Sequence, residues 1–333
     1  MSFGISDIGQ LNFINSLLSS QRKQLNDIQD QISSGQKGHV YGDLGGAGSV
    51  SSITLHNSLS QLDMFSTNVS LVRGRTSVMA SALDSITSAA QGVSSQLLTA
   101  TQSATDPGMA NFRVAARGAL DQILSYLNGQ YAGEQVFAGT DVNTRPIASA
   151  AALDASINAQ LANLYSGAST GATVMTNINA LSGAAAGYSA TLAASGGMTA
   201  QIDTRQFVDY TVKADDPAIQ SLVKGLGVIA NLQYDPAHPN EFWTVFNSAK
   251  QMIDQGTDGV VNLHAKVGLV QNQLDQVDQM HNATNTILQT QLGDIENVDV
   301  AQAASQLQLL QTQLQASYKV SSIVSQLSLV NYL

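Results

Sequence analysis

The residues that most often carry chemistry in proteins are scattered along this chain without the spacing that a metal or catalytic site needs. The five histidines are His39, His56, His238, His264 and His281. They form no HxH or HExxH pattern, whereas zinc hydrolases hold their metal with ligands at such fixed spacings. We therefore assign the histidines to surface or packing roles and expect no metal.

The serine, glycine and aspartate clusters have structural explanations. A serine becomes a nucleophile only beside a placed base, and we expect no such serine in this chain. The run from Gly42 to Gly48 lacks the lysine and the spacing of a phosphate-binding loop. Asp209, Asp215 and Asp216 lie near a turn, where an Asp-Pro helix start accounts for them. These observations predict that the protein is not an enzyme and needs no cofactor.

The charge balance limits the class of partner. The chain has 333 residues and a formal net charge of −10, and its Lys and Arg residues form no cluster. Because nucleic-acid binding needs a basic surface, nucleic acid is not an expected partner. Charged residues make up 11% of the chain, against roughly 25% in a typical soluble protein. The surface must therefore be polar but mostly uncharged.

Neither a membrane span nor a cleaved secretion signal is expected. The chain has no run of about 18 apolar residues, the length that a membrane-spanning helix needs. Its first residues lack the basic and apolar regions of a signal peptide. Cysteine is absent, which excludes disulfides and thiolate metal sites. Hydrophobic residues make up 44% of the chain, which is enough for a sizeable core.

Apolar residues in the N-terminal part recur with the spacing of long helices. One stripe contains Leu11, Ile14, Leu18, Leu25, Ile28 and Ile32. Gln21 occupies the position between Leu18 and Leu25 where this spacing would place an apolar residue. Gly35 is predicted to end this helix, and a loop is expected from Gly42 to Ser49. A second pattern from Leu55 to Thr101 predicts a coiled-coil helix roughly 70 Å long. A third helix is expected to fold back after a break at 106–108.

The middle of the chain has a different composition. Residues 146–202 contain a single charged residue, Asp154, among many Ala, Ser, Gly and Thr residues. Alternating apolar residues from Phe207 to Val212 predict a strand, and Asp216 is predicted to begin a short helix. We therefore expect an inserted α+β outer domain over 141–240.

The C-terminal part is predicted to be helical again. Helix is expected over 241–329, with a break near Gly256 and Gly259. Residues 297–333 contain only two charged residues, Asp299 and Lys319. A solvated helix usually covers its outer face with charges, so this uncharged polar face is expected to contact protein. Both chain ends are predicted to pack against copies of themselves, with their folding coupled to assembly.

Three segments resemble the bacterial flagellin family. QISSGQKGHVYGD, from Gln31, is similar to the end of the family's first helix and its Ser-Gly turn. The sequence from Ile295 onwards resembles the family's terminal helix, with matching residues at Asp299, Ala301, Leu307, Leu314, Tyr318 and Leu327. GEQVFAGTDVNTRPI, from Gly133 to Ile147, is similar to a motif typical of the hook-associated protein 3 branch, whose members join hook and filament.

The resemblance implies a structural subunit of the bacterial flagellum that contributes to motility at the hook-filament junction. A major flagellin of the filament is the alternative, and a type III secreted needle-tip or translocator-like protein is a third interpretation. The resemblance also implies an extracellular protein, exported by the flagellar type III route without a cleaved signal peptide. The implied partners are copies of itself in a helical or ring assembly, flagellin, hook-junction proteins and an export chaperone at the C-terminal helix.

These observations together predict a mainly α fold. We expect an elongated coiled-coil rod, formed by an N-terminal helical hairpin and a C-terminal helix, with the α+β outer domain inserted between them. The expected divisions are an N-terminal helical core at 1–140, a variable exposed domain at 141–240 and a C-terminal helical core at 241–333. The residues expected to form the assembly and coiled-coil seam are Leu18, Leu25, Ile28, Ile32, Leu83, Ile86, Leu307, Leu310, Leu314, Ile323 and Leu327.

Overall fold

The computed structural model of the protein describes the backbone of residues 4–38, 40–100 and 109–330. Within those ranges it also describes the burial and contacts of the side chains from residue 12 to residue 323. The predicted break at 106–108 and the side chain of Leu327 lie outside this description. The described backbone is mainly helical, as predicted, and its helices are α1 (Gly4–Ser34), α2 (Gly45–Leu97), α3 (Met109–Leu127), α4 (Ala150–Tyr165), α5 (Gly171–Asn179), α6 (Pro217–Asn231), α7 (Pro239–Glu296) and α8 (Val300–Val330). Two antiparallel strand pairs accompany them: β1 (Gln130–Tyr131) with β2 (Glu134–Gln135), and β3 (Thr199–Asp203) with β4 (Gln206–Asp209).

Contacts group the chain into two compact units. The terminal unit comprises residues 1–63 and 282–333, and the central unit comprises residues 64–281. α2 and α7 contribute residues to both units. The three-part division expected from the sequence stays a prediction, and its boundaries at 141 and 241 both fall within the central unit.

The central unit contains a large apolar core to which six helices contribute. Leu83 and Ile86 of α2 are fully buried in the same cluster as Leu120 of α3, Leu153 of α4 and Leu222 of α6. Complete burial of side chains of this size stabilises the fold by about 1.5–3 kcal/mol each. The helices between residues 150 and 231 therefore share one core with the long helices.

A smaller cluster in the central unit joins the β3–β4 hairpin to the long helices. Ile202 of β3 and Val208 of β4 are buried with Val69 of α2 and Leu274 of α7. Side chains alternate along β4, because Val208 is buried whereas Phe207 is 64% exposed. The strand predicted from Phe207 to Val212 is confirmed at its start, because β4 ends at Asp209.

The helix predicted to begin at Asp216 is confirmed as α6. A carboxylate oxygen of Asp216 accepts a hydrogen bond from the backbone N–H of Ala218 at 2.9 Å, which caps the helix. Pro217 occupies the first helical position, where its missing N–H is not needed. Local residue chemistry therefore sets this helix boundary.

The break predicted near Gly256 and Gly259 is wrong, since α7 is continuous through both residues. A Cβ built on Gly256 would lie 2.5 Å from the backbone nitrogen of Leu222, and one on Gly259 would lie 2.3 Å from the Cβ of Ala218. The two glycines thus permit close approach of α6 to α7. The packing outweighs their low helix propensity, which is about 1 kcal/mol per residue relative to alanine.

The loop predicted from Gly42 to Ser49 is wrong over most of its length. A 3-10 helix covers Tyr41–Leu44, and α2 begins at Gly45. Gly45 has a φ of +73°, which turns the chain into the helix, and the Ser49 hydroxyl donates to the Gly45 carbonyl at 2.6 Å. Because each residue added to an established helix gains a hydrogen bond, the long α2 extends into the glycine-rich run.

The helical stretch predicted from Val260 to about Leu329 is instead divided between two helices. α7 and α8 are separated by residues 297–299. One carboxylate oxygen of Asp299 accepts from the backbone N–H groups of Ala301 at 2.9 Å and Gln302 at 3.1 Å. Asp299 therefore starts α8 as its N-cap, a signal that is present in the sequence.

Candidate assembly surface

α1 and α8 pack against each other in the terminal unit as an antiparallel pair. Ile28 of α1 and Leu310 of α8 line the same groove. Arg22 of α1 donates a hydrogen bond from its Nε to the Tyr318 hydroxyl of α8 at 2.7 Å. Higher residue numbers on α8 thus meet lower numbers on α1, which places the first and last helices of the chain side by side.

Half-buried and buried positions on both helices recur in steps of three and four, which is the pattern of a coiled-coil seam. On α1 these positions include Ile14, Leu18, Gln21, Leu25, Ile28 and Ile32. On α8 they are Ala303, Leu307, Leu310, Leu314, Ser317 and Ser321. Most of the predicted seam residues occupy these positions, and their role in assembly stays a prediction.

Of the other predicted seam residues, the three whose side chains the structure describes lie elsewhere. Leu83 and Ile86 are 0% exposed inside the core of the central unit. Ile323 is 46% exposed and lies outside the α1–α8 seam. The structure therefore distinguishes residues that hold one subunit together from residues that are available to a partner.

A second set of apolar side chains on α1 and α8 is exposed. Leu309, Val320 and Ile323 of α8 are 60%, 54% and 46% exposed, and they recur at helical spacing. Phe13 and Leu17 of α1 are 68% and 39% exposed. We call these five residues the outer apolar face.

Both parts of the outer apolar face lie on the same side of the α1–α8 pair. Gln24 follows Leu17 by seven residues, so the two side chains share a side of α1. Gln24 and Leu309 line one groove of about 380 Å³ between the helices. The exposed apolar residues of α1 and α8 therefore form one face.

The terminal unit has little apolar core of its own. Among those of its side chains that the structure describes, the buried apolar residues are Ala303 and Leu314. Burial of apolar surface is the main favourable contribution to folding and association. The outer apolar face is therefore a candidate surface for contact with another protein.

The end of α1 is fastened to the end of α7 by a set of contacts that we call the inner clasp. Gly35, with a φ of +74°, ends α1, and its carbonyl accepts from the N–H of Val298 at 2.9 Å. The Lys37 N–H donates to the Glu296 carbonyl at 2.7 Å. The Lys37 ammonium donates to the carbonyls of Asp294 and Ile295 at 2.6 and 2.9 Å. A cation at a helix C-terminus is stabilising, because the free carbonyls there carry partial negative charge.

Glu296 also joins α7 to the start of α2 within the terminal unit. Its Oε1 accepts a hydrogen bond from the buried Ser52 hydroxyl at 2.5 Å and lies 3.0 Å from Nε2 of His56. The Ser52 hydrogen bond, and then the one from His56, lower the pKa of Glu296. The ionised carboxylate is therefore the form that this contact stabilises.

The structure brings together one group of polar residues that sequence reasoning missed. The segment from Gly167 to Gly171, GASTG, matches the GxSxG pattern of serine hydrolases around Ser169. Nε2 of His238 lies 3.1 Å from a Cβ built on Gly167, and its Nδ1 lies 2.8 Å from a carboxylate oxygen of Asp235. That hydrogen bond is the main cause that lowers the pKa of Asp235.

This group does not have the geometry of a hydrolase triad. In the described part of the chain, no hydrogen bond joins Ser169 to His238. The segment connects α4 to α5, whereas a nucleophile elbow connects a strand to a helix. The N–H of Gly171 is already bound by the Glu241 carboxylate. The Asp235–His238 pair is therefore a structural hydrogen bond within the loop between α6 and α7.

The described residues contain neither a metal-binding cluster nor a helix that could span a membrane. The parts of the chain that the structure describes contain no group of three or more His, Asp or Glu side chains that could hold a metal ion. None of the described helices is both long and apolar enough to span a membrane.

Comparison with protein families identifies both ends of the chain. A model of the bacterial flagellin N-terminal helical region matches residues 6–141, and a model of the bacterial flagellin C-terminal helical region matches residues 250–333. These matches include all of α2, α3 and α8 and most of α1 and α7. No curated protein matches the sequence.

Solved structures share the fold at low sequence identity. A protein from Vibrio parahaemolyticus, assigned as a flagellar hook-associated protein, is 17% identical with a TM-score of 0.52, over 74% of this chain and 96% of that one. FlgL from Bacillus cereus is 12% identical with a TM-score of 0.50, over 71% of this chain and 97% of that one. The family models and the fold thus agree on one class of protein.

Proposed function

Since this chain belongs to the bacterial flagellin family and is a structural subunit of the flagellum, we propose that it assembles through its terminal helices at the junction between hook and filament. The outer apolar face carries this proposal. It is exposed on helices that have almost no private core, so that a neighbouring subunit or a related flagellar protein would supply the missing burial.

The mechanism is mechanical. When a contact between two different faces of identical subunits does not close into a ring, its repetition generates a helical assembly. The scarcity of charge on α8, whose charged residue among those described is Lys319, keeps repulsion between neighbouring copies small. We therefore assign no catalytic role to the chain. Its role would be to form a rigid connection between hook and filament.

Two observations favour the junction over the filament. The segment from Gly133 to Ile147 is similar to a motif typical of hook-associated protein 3. Two of the solved structures that share this fold are a flagellar hook-associated protein and FlgL. A major filament flagellin remains the alternative, because the family models describe flagellin ends in general. A needle-tip or translocator-like protein has less support, since both ends of the chain match flagellin.

The proposal extends to location and partners. The protein would act outside the cell as part of the flagellum, after export by the flagellar type III route. Its partners would be copies of itself, flagellin and hook-junction proteins. An export chaperone would cover the C-terminal helix, and with it the exposed residues Leu309, Val320 and Ile323, before assembly. Residues 141–240 would form the variable part that faces outwards.

Assembly of the purified protein tests the proposal. The chain is incubated alone, with isolated hooks and with filament seeds, and the products are followed by sedimentation and electron microscopy. Binding to hook ends followed by growth of flagellin from them would support the junction role. Long polymers of this chain alone would assign it to the filament. A failure to bind hooks, seeds or itself would contradict assembly through the terminal helices.

A further inference from the structure

His281, in the second half of α7, is a buried titratable side chain to which the fold offers no hydrogen bond. The side chain is 4% exposed. Within the described ranges, neither Nδ1 nor Nε2 of its ring has a hydrogen-bond partner. A neutral imidazole carries one N–H donor and one acceptor nitrogen, so both are left unsatisfied. Since buried polar atoms are nearly always hydrogen-bonded in native structures, an imidazole in this state indicates a second arrangement of the site.

The ring lies between an aromatic side chain of α2 and a carboxylate of the β3–β4 hairpin. It stacks on Phe65, with the ring centres 6.1 Å apart and 28° between the planes. Its Nε2 lies 3.9 Å from Oδ2 of Asp203, the last residue of β3. An N–H···O hydrogen bond needs about 2.7–3.2 Å between the heavy atoms. The two groups thus face each other across a gap that is roughly 1 Å too wide for a hydrogen bond.

The neighbouring charges on α7 and α2 are directed elsewhere. Asp275 and Asp278 of α7 both pair with Arg73 of α2, at 3.0 and 3.3 Å. Asp63 of α2 is exposed and lies about 200° around that helix from Phe65, the residue that meets the ring. These three carboxylates therefore leave the imidazole to Asp203.

The charges on the hairpin lead to the same pairing. Arg205 is exposed in the turn that follows β3, and Asp209, at the far end of β4, lies 3.9 Å from Nζ of Lys266. Asp203 itself accepts a hydrogen bond at Oδ1 from the Thr204 N–H at 2.6 Å, which holds its side chain in place. Its Oδ2 is the oxygen that faces His281. The carboxylate is thus placed to accept an N–H from the ring after a small movement.

We propose that His281 and Asp203 form a latch that closes when the imidazole takes up a proton. Protonation makes both ring nitrogens donors and gives the ring a positive charge. An ion pair with a charge-assisted hydrogen bond to Asp203 then compensates for placing that charge in a buried site. Histidine ordinarily changes charge between about pH 5 and pH 8, so mildly acid solution closes the latch and alkaline solution opens it. This inference is independent of the proposed function.

The latch determines how firmly the hairpin is held on the long helices. The two strands pack on these helices through an apolar cluster that contains Ile202 and Val208, and this packing does not depend on pH. At the open end of the hairpin, the Lys266 ammonium of α7 donates to the Thr211 carbonyl at 3.1 Å. At the turn end, His281 meets Asp203 without a hydrogen bond. Closure adds a polar fastening to α7 at the turn, so that the hairpin is then held at both ends.

Amide hydrogen exchange of the free, full-length chain tests the latch. Protection is expressed relative to the unstructured chain at the same pH, which removes the intrinsic effect of pH on exchange. We expect residues 200–208 to become about tenfold better protected at pH 5.5 than at pH 8, which is the effect of a weak charge-assisted hydrogen bond. Residues 219–229 of α6, in the core of the central unit, should keep their protection. Unchanged protection of the hairpin would overturn the proposal, and so would lower protection at pH 5.5, since the charged ring would then be expelled from its site.

Two variants test the two residues separately. His281→Gln removes the titrating group, and Asp203→Asn removes the negative charge while keeping an oxygen for the Thr204 N–H. Both should abolish the rise in protection between pH 8 and pH 5.5, and the double variant should behave like either one. His264→Gln, at a partly buried histidine of the same helix, is the matched control and should retain the rise. Because each variant is compared with itself at two pH values, a uniform loss of stability does not imitate loss of the latch, and a wild-type rise in His281→Gln or Asp203→Asn would contradict the proposal.

Nitrogen NMR of the histidine rings locates the proton directly. In the wild type at pH 5.5, both ring nitrogens of His281 should carry protons. Asp203→Asn should lower the protonated fraction of this ring severalfold at the same pH, because the charge that stabilises it is gone. A ring that stays neutral in the wild type at pH 5.5 would refute the latch, even if exchange of the hairpin changes with pH.

Discussion

Gly256 of α7 lies so close to Leu222 of α6 that a Cβ on the glycine would stand 2.5 Å from the Leu222 nitrogen and 2.7 Å from its Cβ. The nearest atoms are backbone and Cβ, which cannot rotate away. Gly256 would be expected to break a helix from its sequence alone, but in the fold it permits close packing inside a helix of 58 residues.

Alanine at this position tests that relationship. Gly256→Ala should destabilise the central unit by about 1–3 kcal/mol, because overpacking shifts the two helices apart and outweighs the gain in helix propensity. Gly268→Ala is the matched control on the same helix, where a Cβ would meet nothing within 4 Å. It should raise stability by about 0.5–1 kcal/mol. Denaturant unfolding measures both, and equal effects would contradict the packing role.

The single charged residue between 146 and 202 is expected to stabilise the central unit. Asp154 accepts two hydrogen bonds from Arg117 at 2.8 and 2.9 Å and one from Asn231 at 2.7 Å. Asp154→Ala should lower the free energy of unfolding by about 1–3 kcal/mol, since it leaves three donor nitrogens without their acceptor. Asp121→Ala, on the exposed side of α3, should change stability by less than about 0.5 kcal/mol. Thermal and urea unfolding compare the two variants, and similar losses would contradict a specific network.

A charge on the outer apolar face should block assembly. Val320→Asp places a carboxylate where a neighbour is proposed to bury apolar surface, and an unpaired charge is costly to bury. Sedimentation should show monomer, with the thermal unfolding of the central unit unchanged. Gln315→Asp adds the same charge about 140° around α8 and should reduce assembly much less. Equal loss in both variants would point to charge in general, and unchanged assembly of Val320→Asp would refute the role of this face.

Deletion of residues 310–333 should leave a soluble monomer that no longer assembles. The deletion removes Leu310, Leu314 and the exposed Val320 and Ile323 from α8, while the core of the central unit lies wholly within residues 64–281. Circular dichroism and sedimentation would verify a folded monomer. Normal polymers of the shortened chain, seen by electron microscopy, would contradict the proposed assembly through α8.

Acid should weaken the contact between Glu296 and Ser52. Folding lowers the pKa of Glu296, mainly through the Ser52 hydrogen bond. The contact therefore adds stability above the unfolded pKa of about 4.3 and loses it as the pH falls through the lower folded value. Helix content between pH 6 and pH 3 should fall more steeply in the wild type than in Glu296→Gln. Asp294→Asn is the control, and a wild-type profile in Glu296→Gln would contradict the prediction.

Much of the secondary structure was predictable because its causes are local. Apolar residues in steps of three and four marked α1, α2, α3 and α8, and an Asp-Pro pair marked the start of α6. The N-cap at Asp299 was an equally local signal, although the apolar pattern running across it suggested one continuous helix. The predictions at Gly45 and Gly256 were wrong for the opposite reason, because helix length and packing outweigh the low helix propensity of glycine at these positions.

The sequence by itself determined the mainly α class, the uncharged ends and the resemblance to flagellin, because periodicity, composition and motifs are properties of neighbouring residues. Only the tertiary structure decided which apolar stripe of α8 faces α1 and which remains exposed. It also decided that Arg22 meets Tyr318, 296 residues away. Two amphipathic helices can pair in several registers with similar apolar burial, and the choice among them depends on polar contacts between residues that are distant in the chain.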